Sequence, residues 1–182
     1  MDPAIFLDRD GCIIENKASY VRSWSDVTIY PQALQALQRI RKSQYKIFII
    51  TNQSAIGRGI ISQAAAESIN QRLVAEIESA GGRIDRVLTC PHTNEDDCAC
   101  RKPKPGMIFE AAAQFTLDLK HSILLGDALS DIIAGQAAGI GQNVLVLTGR
   151  GHAQAKLPQA KQIPRFLVYE NLSTALFDLI AL

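Results

Sequence analysis

The 182-residue sequence lacks the features that direct a protein to a membrane, to nucleic acid or out of the cell. No apolar run approaches the ~20 residues of a membrane-spanning helix, and the first three residues do not begin a basic and then apolar secretion signal. The formal net charge is only +1, which gives no broad field to attract nucleic acid or an anionic surface. We expect a soluble, cytoplasmic protein, and a monomer, that binds neither membranes nor nucleic acid.

Cysteine and histidine are also scarce, at four and three residues, but they are unevenly spread. Three of the cysteines and His92 fall within residues 90–100. In a cytoplasmic protein this grouping favours a metal site over disulfides. Cys12 lies outside the group, and we interpret it as a small buried residue.

Apolar runs that alternate with helical patterns predict an α/β fold. Short apolar runs are typical of strands buried on both faces, and they occur at residues 4–7, 46–51, 86–90, 122–127, 143–148 and 165–169. Helical patterns between them begin at Pro31, Ser62, Pro105, Leu129 and Leu172, the last extending to residue 182. This alternation predicts one domain, residues 1–182, with a Rossmann-like, mainly parallel sheet between two helical layers.

Three stretches have no clear pattern. Residues 9–30 and 91–104 are long, and structureless segments of this length in a compact domain usually carry function. Residues 151–164 are polar, and we interpret them as a surface loop.

The first apolar run ends in an acidic turn, Asp8-Arg9-Asp10-Gly11. The carboxyl ends of parallel strands are where ligands bind, and two carboxylates there call for a hard cation such as Mg²⁺. Alone, the same residues could form an ordinary acidic surface turn. Two further strand ends carry Thr51 and Asp127, however, and Lys102 follows the cysteine-rich segment. The combination predicts one site at the carboxyl edge of the sheet.

These side chains are the ones that phosphoryl transfer requires. Asp8 can attack phosphorus and form an aspartyl-phosphate, while Mg²⁺ bridges Asp8, Asp127 and a phosphate oxygen. Thr51 and Lys102 can bind the equatorial oxygens, over which charge spreads in the transition state. Asp10, two residues after the nucleophile, can protonate the leaving alkoxide and then deprotonate the attacking water.

Each of these residues alone has a simpler interpretation. A threonine at a strand end is usually structural, and a lysine before proline is usually a solvated loop residue. Asp127 could cap the helix that follows it, and Asp131 is predicted to pack at the start of that helix and support the site.

The combined motifs resemble the four motifs of the haloacid dehalogenase-like phosphatases. They are Asp8-Arg9-Asp10-Gly11, Thr51-Asn52-Gln53-Ser54, Arg101-Lys102-Pro103 and Gly126-Asp127 with Asp131. Over about residues 4–151 the longer strings resemble one branch, the D-glycero-D-manno-heptose 1,7-bisphosphate phosphatases with the related histidinol-phosphate phosphatases.

The resemblance implies a role for each matching residue. Asp8 would be the nucleophile and Asp10 the acid and base, with Thr51 and Lys102 steadying the phosphoryl group. Mg²⁺ would be held by the Asp8 carboxylate, the Asp10 backbone carbonyl and Asp127. The first strand would lie between the second and the fourth. Substrate contacts are implied for Arg9, Asn16, Tyr20, Asn52, Gln53, Ser54 and Arg101.

The cysteine cluster predicts a zinc-binding loop at residues 90–100. Cys90, His92, Cys98 and Cys100 form a Cys₃His set, which tetrahedral Zn²⁺ takes readily and which leaves no open position for water. The zinc would therefore be structural, and the resembling branch carries a zinc loop here. A disulfide between Cys98 and Cys100 would be strained, and three unrelated thiols remain the alternative.

No segment of about 50 residues lies between the motifs, so we expect an open site without a cap domain. An open site suits a substrate with a second phosphate, for which Arg58, Arg101 and Arg150 are available. The resemblance thus implies an Mg²⁺-dependent phosphatase that removes the 7-phosphate of D-glycero-D-manno-heptose 1,7-bisphosphate, with histidinol phosphate as the alternative substrate. Cys12 and Ala128 depart from the pattern of the branch and leave the substrate and its anomer open.

Two other classes of protein share part of this set of residues. A phospho-acceptor receiver domain also uses Asp, Thr, Lys and Mg²⁺, but it is shorter and lacks an acid at the position of Asp10. A zinc-based nucleic-acid module would need a basic stripe, which this sequence does not have.

Overall fold

Six strands form one sheet in the computed structural model, which describes residues 1–180. They are β1 (Asp2–Leu7), β2 (Lys46–Asn52), β3 (Arg86–Cys90), β4 (Leu117–Gly126), β5 (Gln142–Val146) and β6 (Leu167–Tyr169). Their order is β3-β2-β1-β4-β5-β6, and every neighbouring pair is parallel. The predicted α/β fold is confirmed, as is the position of the first strand between the second and the fourth.

Helices connect the strands. They are α1 (Pro31–Ile40), α2 (Ser54–Gly57), α3 (Gln63–Ser79), α4 (Gly106–Phe115), α5 (Leu129–Ala137), α6 (Gly151–Ala155) and α7 (Leu172–Leu179). Pro31 occupies the first turn of α1, where its missing N–H costs nothing, and the Ser62 hydroxyl caps α3 by accepting from the Ala65 N–H at 3.1 Å. The last two residues of the predicted final helix lie outside the described residues.

The helices cover both faces of the sheet. Along β1, Ile5 and Leu7 point to a core formed with α1, α3 and α7, whereas Ala4 and Phe6 point to a core formed with α4 and α5. Because side chains alternate along a strand, one fully buried strand supplies both cores. The predicted three-layer arrangement is therefore present, with β1 at its centre.

Three features differ from the prediction. The short helices α2 and α6 were not predicted, because four or five residues are too few to show helical periodicity. Residues 151–164, interpreted as a loop, contain α6 and a 3₁₀ turn at Pro158–Lys161. Strand β4 begins at Leu117, earlier than predicted, because Leu117 and Asp118 pair with the start of β1 before the register shifts.

The topology fixes where a ligand can bind. The chain runs from β1 to β2 and β3 on one side, and then crosses back to β4 on the other side of β1. The crevice at such a switch point, outside the carboxyl ends of the strands, is the usual ligand site of open α/β sheets. Within residues 1–180, no separate cap domain lies over this edge.

Among the described residues, no helix is both long and apolar enough to cross a membrane.

Candidate active site

Asp8 and Lys102 meet at the carboxyl end of β1. Asp8 is only 5% exposed, and the Lys102 ammonium donates to its Oδ1 at 2.6 Å. The same ammonium donates to the Ile50 carbonyl at 2.9 Å and lies 2.7 Å from Asp131 Oδ1. Three oxygens therefore surround the three N–H donors of Lys102, so this side chain has a single well-defined position.

The electrostatics of the pair follow from burial and from neighbouring charge. The pKa of Asp8 is raised to about 8, mainly by burial and also by the carboxylates of Asp131 and Asp127, while the Lys102 ammonium opposes the rise. Burial alone would lower the pKa of Lys102, but Asp131 and Asp8 outweigh it and hold that pKa above its ordinary value. The site thus has more buried negative than positive charge and would favour binding of a cation.

Asp127 follows β4 and is fully buried. Its Oδ2 accepts from the Arg150 backbone N–H at 2.8 Å, and its Oδ1 accepts from Arg150 Nη2 at 2.9 Å. Two glycines lie against the same carboxylate: a Cβ on Gly11 would lie 2.1 Å from Asp127 Oδ2, and one on Gly149 would lie 2.4 Å from it. Both glycines also have positive φ, so a side chain at either position would displace the Asp127 carboxylate.

The carboxylates fit a hard divalent cation. One oxygen each of Asp8, Asp127 and Asp131 lies within 4.8 Å of the others, and Mg²⁺ is usually bound through one or two carboxylates. Both oxygens of Asp131 have partners within the protein, because Lys102 contacts its Oδ1 and the Ala128 N–H donates to its Oδ2 at 3.1 Å, just as both oxygens of Asp127 accept from Arg150. Asp8, Asp127 and the backbone carbonyl of Asp10 stay the predicted ligands.

Asp10 is held by donors on one side of its carboxylate. Its Oδ2 accepts from Gln53 Nε2 at 3.0 Å, from Thr51 Oγ1 at 3.4 Å and from Arg9 Nε at 3.0 Å. Among the described residues, its Oδ1 accepts from Arg9 Nη2 alone, at 3.2 Å. A carboxylate oxygen has more than one acceptor site, so Oδ1 is the oxygen that remains open to a substrate.

Arg9 was predicted to contact substrate, but the structure places it elsewhere. Its side chain is 1% exposed and does not line the cavity above Asp8. In addition to its two bonds to Asp10, it donates from Nη1 to Asn70 Oδ1 at 2.7 Å. This arrangement directs the guanidinium into the protein and toward α3.

The other predicted substrate residues surround one cavity of about 460 Å³ above Asp8 and Lys102. Its lining includes the predicted residues Asn16, Tyr20, Asn52, Gln53, Ser54 and Arg101. It also includes Arg150, together with Lys17 and Asn94, for which no individual contact was predicted, whereas Arg58 is absent from the lining. Lys17, Arg101 and Arg150 bring positive charge to the rim of the cavity, where Lys17 also pairs with Glu15 at 3.2 Å and Arg150 with Asp127 at 2.9 Å.

Two of these residues have defined contacts within the protein. Asn52 Nδ2 donates to the Lys102 carbonyl at 3.0 Å, and Asn52 Oδ1 accepts from the Lys102 N–H at 3.1 Å, which fixes the backbone at Lys102. Arg101 donates from Nε to Asn94 Oδ1 at 2.7 Å and from Nη1 to the His92 carbonyl at 3.1 Å. The loop at residues 90–100 therefore orients Arg101 at the rim.

The predicted zinc ligands converge. The Sγ atom of Cys90 lies 3.6 Å from that of Cys98 and 3.1 Å from that of Cys100, and Cys98 and Cys100 are separated by 3.5 Å. His92 Nδ1 lies 3.3 Å from Cys100 Sγ. Zinc–sulfur bonds of about 2.3 Å would give sulfur–sulfur edges of about 3.8 Å in a tetrahedron. The cluster is close to this size, so its donor set fits zinc.

Comparison with known proteins gives consistent similarities. The family model described as HAD-hydrolase-like matches residues 99–175. The chain is 35% identical over 162 residues to the D-glycero-beta-D-manno-heptose-1,7-bisphosphate 7-phosphatase of Bordetella bronchiseptica, covering 87% of this chain and 90% of that protein. It is 38% identical over 151 residues to the D-glycero-alpha-D-manno-heptose-1,7-bisphosphate 7-phosphatase of Photorhabdus laumondii, covering 79% and 82%.

A solved structure of a heptose bisphosphate phosphatase is also similar to this chain in its fold. The crystal structure of the D,D-heptose 1,7-bisphosphate phosphatase from B. bronchiseptica, complexed with magnesium and phosphate, matches with a TM-score of 0.89 and 32% identity. The match covers 97% of both chains. The likeness therefore extends over the whole sheet and the loops that form the site.

Proposed function

This chain belongs to the haloacid dehalogenase-like hydrolases, in the branch of the D-glycero-D-manno-heptose-1,7-bisphosphate 7-phosphatases, and we propose that it is an Mg²⁺-dependent phosphatase that removes the 7-phosphate of such a bisphosphate. The observation that carries the proposal is the position of Asp8. Its carboxylate contacts Lys102 and lies beside that of Asp127 at the floor of an open cavity.

The nucleophile is Asp8. Lys102 fixes its carboxylate from below, so that an oxygen faces the cavity for attack on phosphorus and formation of an aspartyl-phosphate. Asp8 and Asp127 would hold Mg²⁺, which would reduce the repulsion between carboxylates and phosphate and polarise the phosphoryl oxygens. Lys102 and Thr51 supply further donors for the charge on those oxygens.

Asp10 is the general acid when the aspartyl-phosphate forms and the general base when water hydrolyses it. Its Oδ1 carries the proton, because Oδ2 is already occupied by donors from Gln53, Thr51 and Arg9. In the first step this proton goes to the sugar oxygen as the bond from phosphorus to that oxygen breaks. In the second step the ionised Oδ1 takes a proton from the water that attacks the aspartyl-phosphate, and the free carboxylate of Asp8 is regenerated.

The charge of the rim favours a bisphosphate over histidinol phosphate. Lys17, Arg101 and Arg150 can bind a second phosphate, whereas histidinol phosphate would bring a cationic amine to the same positive rim. Charge-assisted hydrogen bonds to one phosphate contribute roughly 1.5–3 kcal/mol each. This difference is large enough to decide between the two substrates.

The substrate assignment is tested by phosphate release from a panel. We expect kcat/KM for D-glycero-D-manno-heptose 1,7-bisphosphate to exceed that for histidinol phosphate by at least about 10-fold, the contribution of the weakest such bond. Turnover should require Mg²⁺, and both anomers of the heptose should be assayed. Faster turnover of histidinol phosphate would overturn the substrate, and an accumulating aspartyl-phosphate without steady turnover would favour a receiver domain.

The cysteine cluster is proposed to bind a structural zinc ion. Cys90, His92, Cys98 and Cys100 would be its four ligands, leaving no position for a reacting water. Its role would be to fix the loop whose His92 carbonyl and Asn94 side chain hold Arg101.

Removing one zinc ligand should therefore affect metal content, stability and substrate binding together. For Cys98→Ser we expect zinc content to fall well below one ion per chain, the melting temperature to decrease, and KM to rise about 10-fold as Arg101 loses its orientation. Metal analysis, thermal unfolding and steady-state kinetics measure the three effects. Cys12→Ala is the control for zinc content, since it removes a thiol outside the cluster. Normal zinc content and kinetics in Cys98→Ser would show that the cluster does not bind a zinc ion that orients Arg101.

A further inference from the structure

Asn70 is a buried polar residue in an apolar stripe. It lies on α3 among Ala66, Ile69, Leu73 and Ile77, all of which are buried, and it is itself only 7% exposed. An apolar side chain at this position would continue the stripe, whereas a buried amide destabilises the fold unless its hydrogen bonds are made. The choice of asparagine therefore requires a partner, and the structure supplies one on the active-site side.

The partner is Arg9. Asn70 Oδ1 accepts from Arg9 Nη1 at 2.7 Å, and Asn70 Nδ2 donates to Thr89 Oγ1 on β3 at 3.2 Å. Because a guanidinium only donates, Arg9 requires the oxygen of the amide, and Nδ2 is then left to donate to Thr89. The other edge of the guanidinium, Nε and Nη2, is then directed to the two oxygens of Asp10. Thr89, Asn70, Arg9 and Asp10 thus form one continuous chain of hydrogen bonds.

We propose that Asn70 is a positioning residue for the proton-transfer step, acting through Arg9 on Asp10. A guanidinium is planar, so fixing Nη1 fixes the plane in which Nε and Nη2 meet the carboxylate. The Asp10 carboxylate is part-exposed, and among the described residues Arg9 is the one that bonds both of its oxygens, whereas Gln53 and Thr51 bond Oδ2 alone. The inference rests on the proposed function, because it takes Asp10 to be the acid that protonates the leaving sugar oxygen.

The consequence is specific to substrates that need a proton. A sugar alkoxide is a poor leaving group and must be protonated as it departs, whereas p-nitrophenolate leaves without help. General acid catalysis contributes about 10²- to 10⁴-fold, and misplacing the acid forfeits part of this contribution. Loss of Asn70 should therefore slow cleavage of the alkyl phosphate far more than that of the aryl phosphate.

The experiment compares Asn70→Leu with the unmodified protein on two substrates. We expect kcat/KM for D-glycero-D-manno-heptose 1,7-bisphosphate to fall about 10-fold or more, while that for p-nitrophenyl phosphate changes less than about 3-fold. Asn70→Asp should restore the ratio, because it keeps an acceptor for Arg9 and can accept from the Thr89 hydroxyl. Gln71→Leu, an exposed position on the same helix, is the matched control and should leave both rates unchanged.

An equal loss on both substrates, or no loss on either, would overturn the inference. If Asn70→Leu does not fold, Thr89→Val provides the same comparison, because the amide of Asn70 then loses its partner at Nδ2 and is no longer held against Arg9. The loss of kcat/KM must again be larger for the heptose bisphosphate than for p-nitrophenyl phosphate. If the unmodified protein hydrolyses neither substrate, the proposed function itself fails, and this outcome is distinct from a failure of the role of Asn70.

Discussion

Asp8→Asn is expected to abolish turnover, with kcat reduced by at least about 10⁴-fold, while the fold is retained. An amide oxygen cannot form the aspartyl-phosphate, so the reaction loses its first covalent step. Stability should change by less than about 1 kcal/mol, because Asn has nearly the same shape and Lys102 keeps its contact with Asp131. The substitution also removes one of three buried carboxylates that repel one another. Phosphate release and thermal unfolding measure the two effects.

Asp2→Asn is the matched control for this variant. Asp2 is exposed and lies at the opposite end of the same strand, so the chemical change is identical but occurs far from the cavity. It should leave kcat unchanged. Residual turnover by Asp8→Asn within about 10-fold of the unmodified protein would show that Asp8 is not the nucleophile, since covalent catalysis of this kind cannot survive its loss.

Lys102→Met is expected to impair both activity and stability. The ammonium is the cation placed between Asp8 and Asp131, and both carboxylates are buried. Removing one member of a buried charge cluster typically costs about 3–5 kcal/mol of stability, because the remaining charges stay uncompensated. We expect a loss of this size in the free energy of unfolding, measured by denaturant titration without added Mg²⁺. We also expect kcat to fall about 10²- to 10³-fold, the usual effect of losing one transition-state donor.

A second substitution separates the two effects. Lys102→Met combined with Asp131→Asn removes one of the two carboxylates left facing each other, so most of the stability should return while kcat stays low. Lys104→Met is the control, because Lys104 is an exposed neighbour whose ion pair with Asp97 should contribute little. Unchanged stability in the single variant would mean that Lys102 does not neutralise these carboxylates.

Most of the fold could be predicted from the sequence because the signals are local. Each strand appears in the sequence as an apolar run, because a parallel strand is buried on both faces. Five helices show an apolar stripe at helical spacing. The site follows from the fold: the carboxyl ends of β1, β2 and β4 are adjacent, so Asp8, Thr51 and Asp127 converge. The convergence of Cys90, His92, Cys98 and Cys100 was predictable because all four lie within eleven consecutive residues.

Contacts between distant segments were not predictable. Arg9 and Asn70 are separated by 61 positions, and nothing in either segment indicates that a guanidinium next to the nucleophile turns inward to a helix. The contact between Arg150 and Asp127 was not predictable for the same reason. Arg150 was predicted to bind a second phosphate, and the structure shows in addition that it donates to both oxygens of Asp127. An asparagine in the apolar stripe of α3 was the available signal, because a buried amide needs a partner.

The two glycines beside Asp127 bear on how the segments that follow β1 and β5 are joined. A Cβ on Gly149 would lie 2.5 Å from the Cα of Gly11, so these two segments touch through bare main chain. Main chain cannot be compressed as a flexible side chain can. A bulkier residue at either glycine would therefore push apart the segment that carries Asp8 and Asp10 and the segment that carries Arg150.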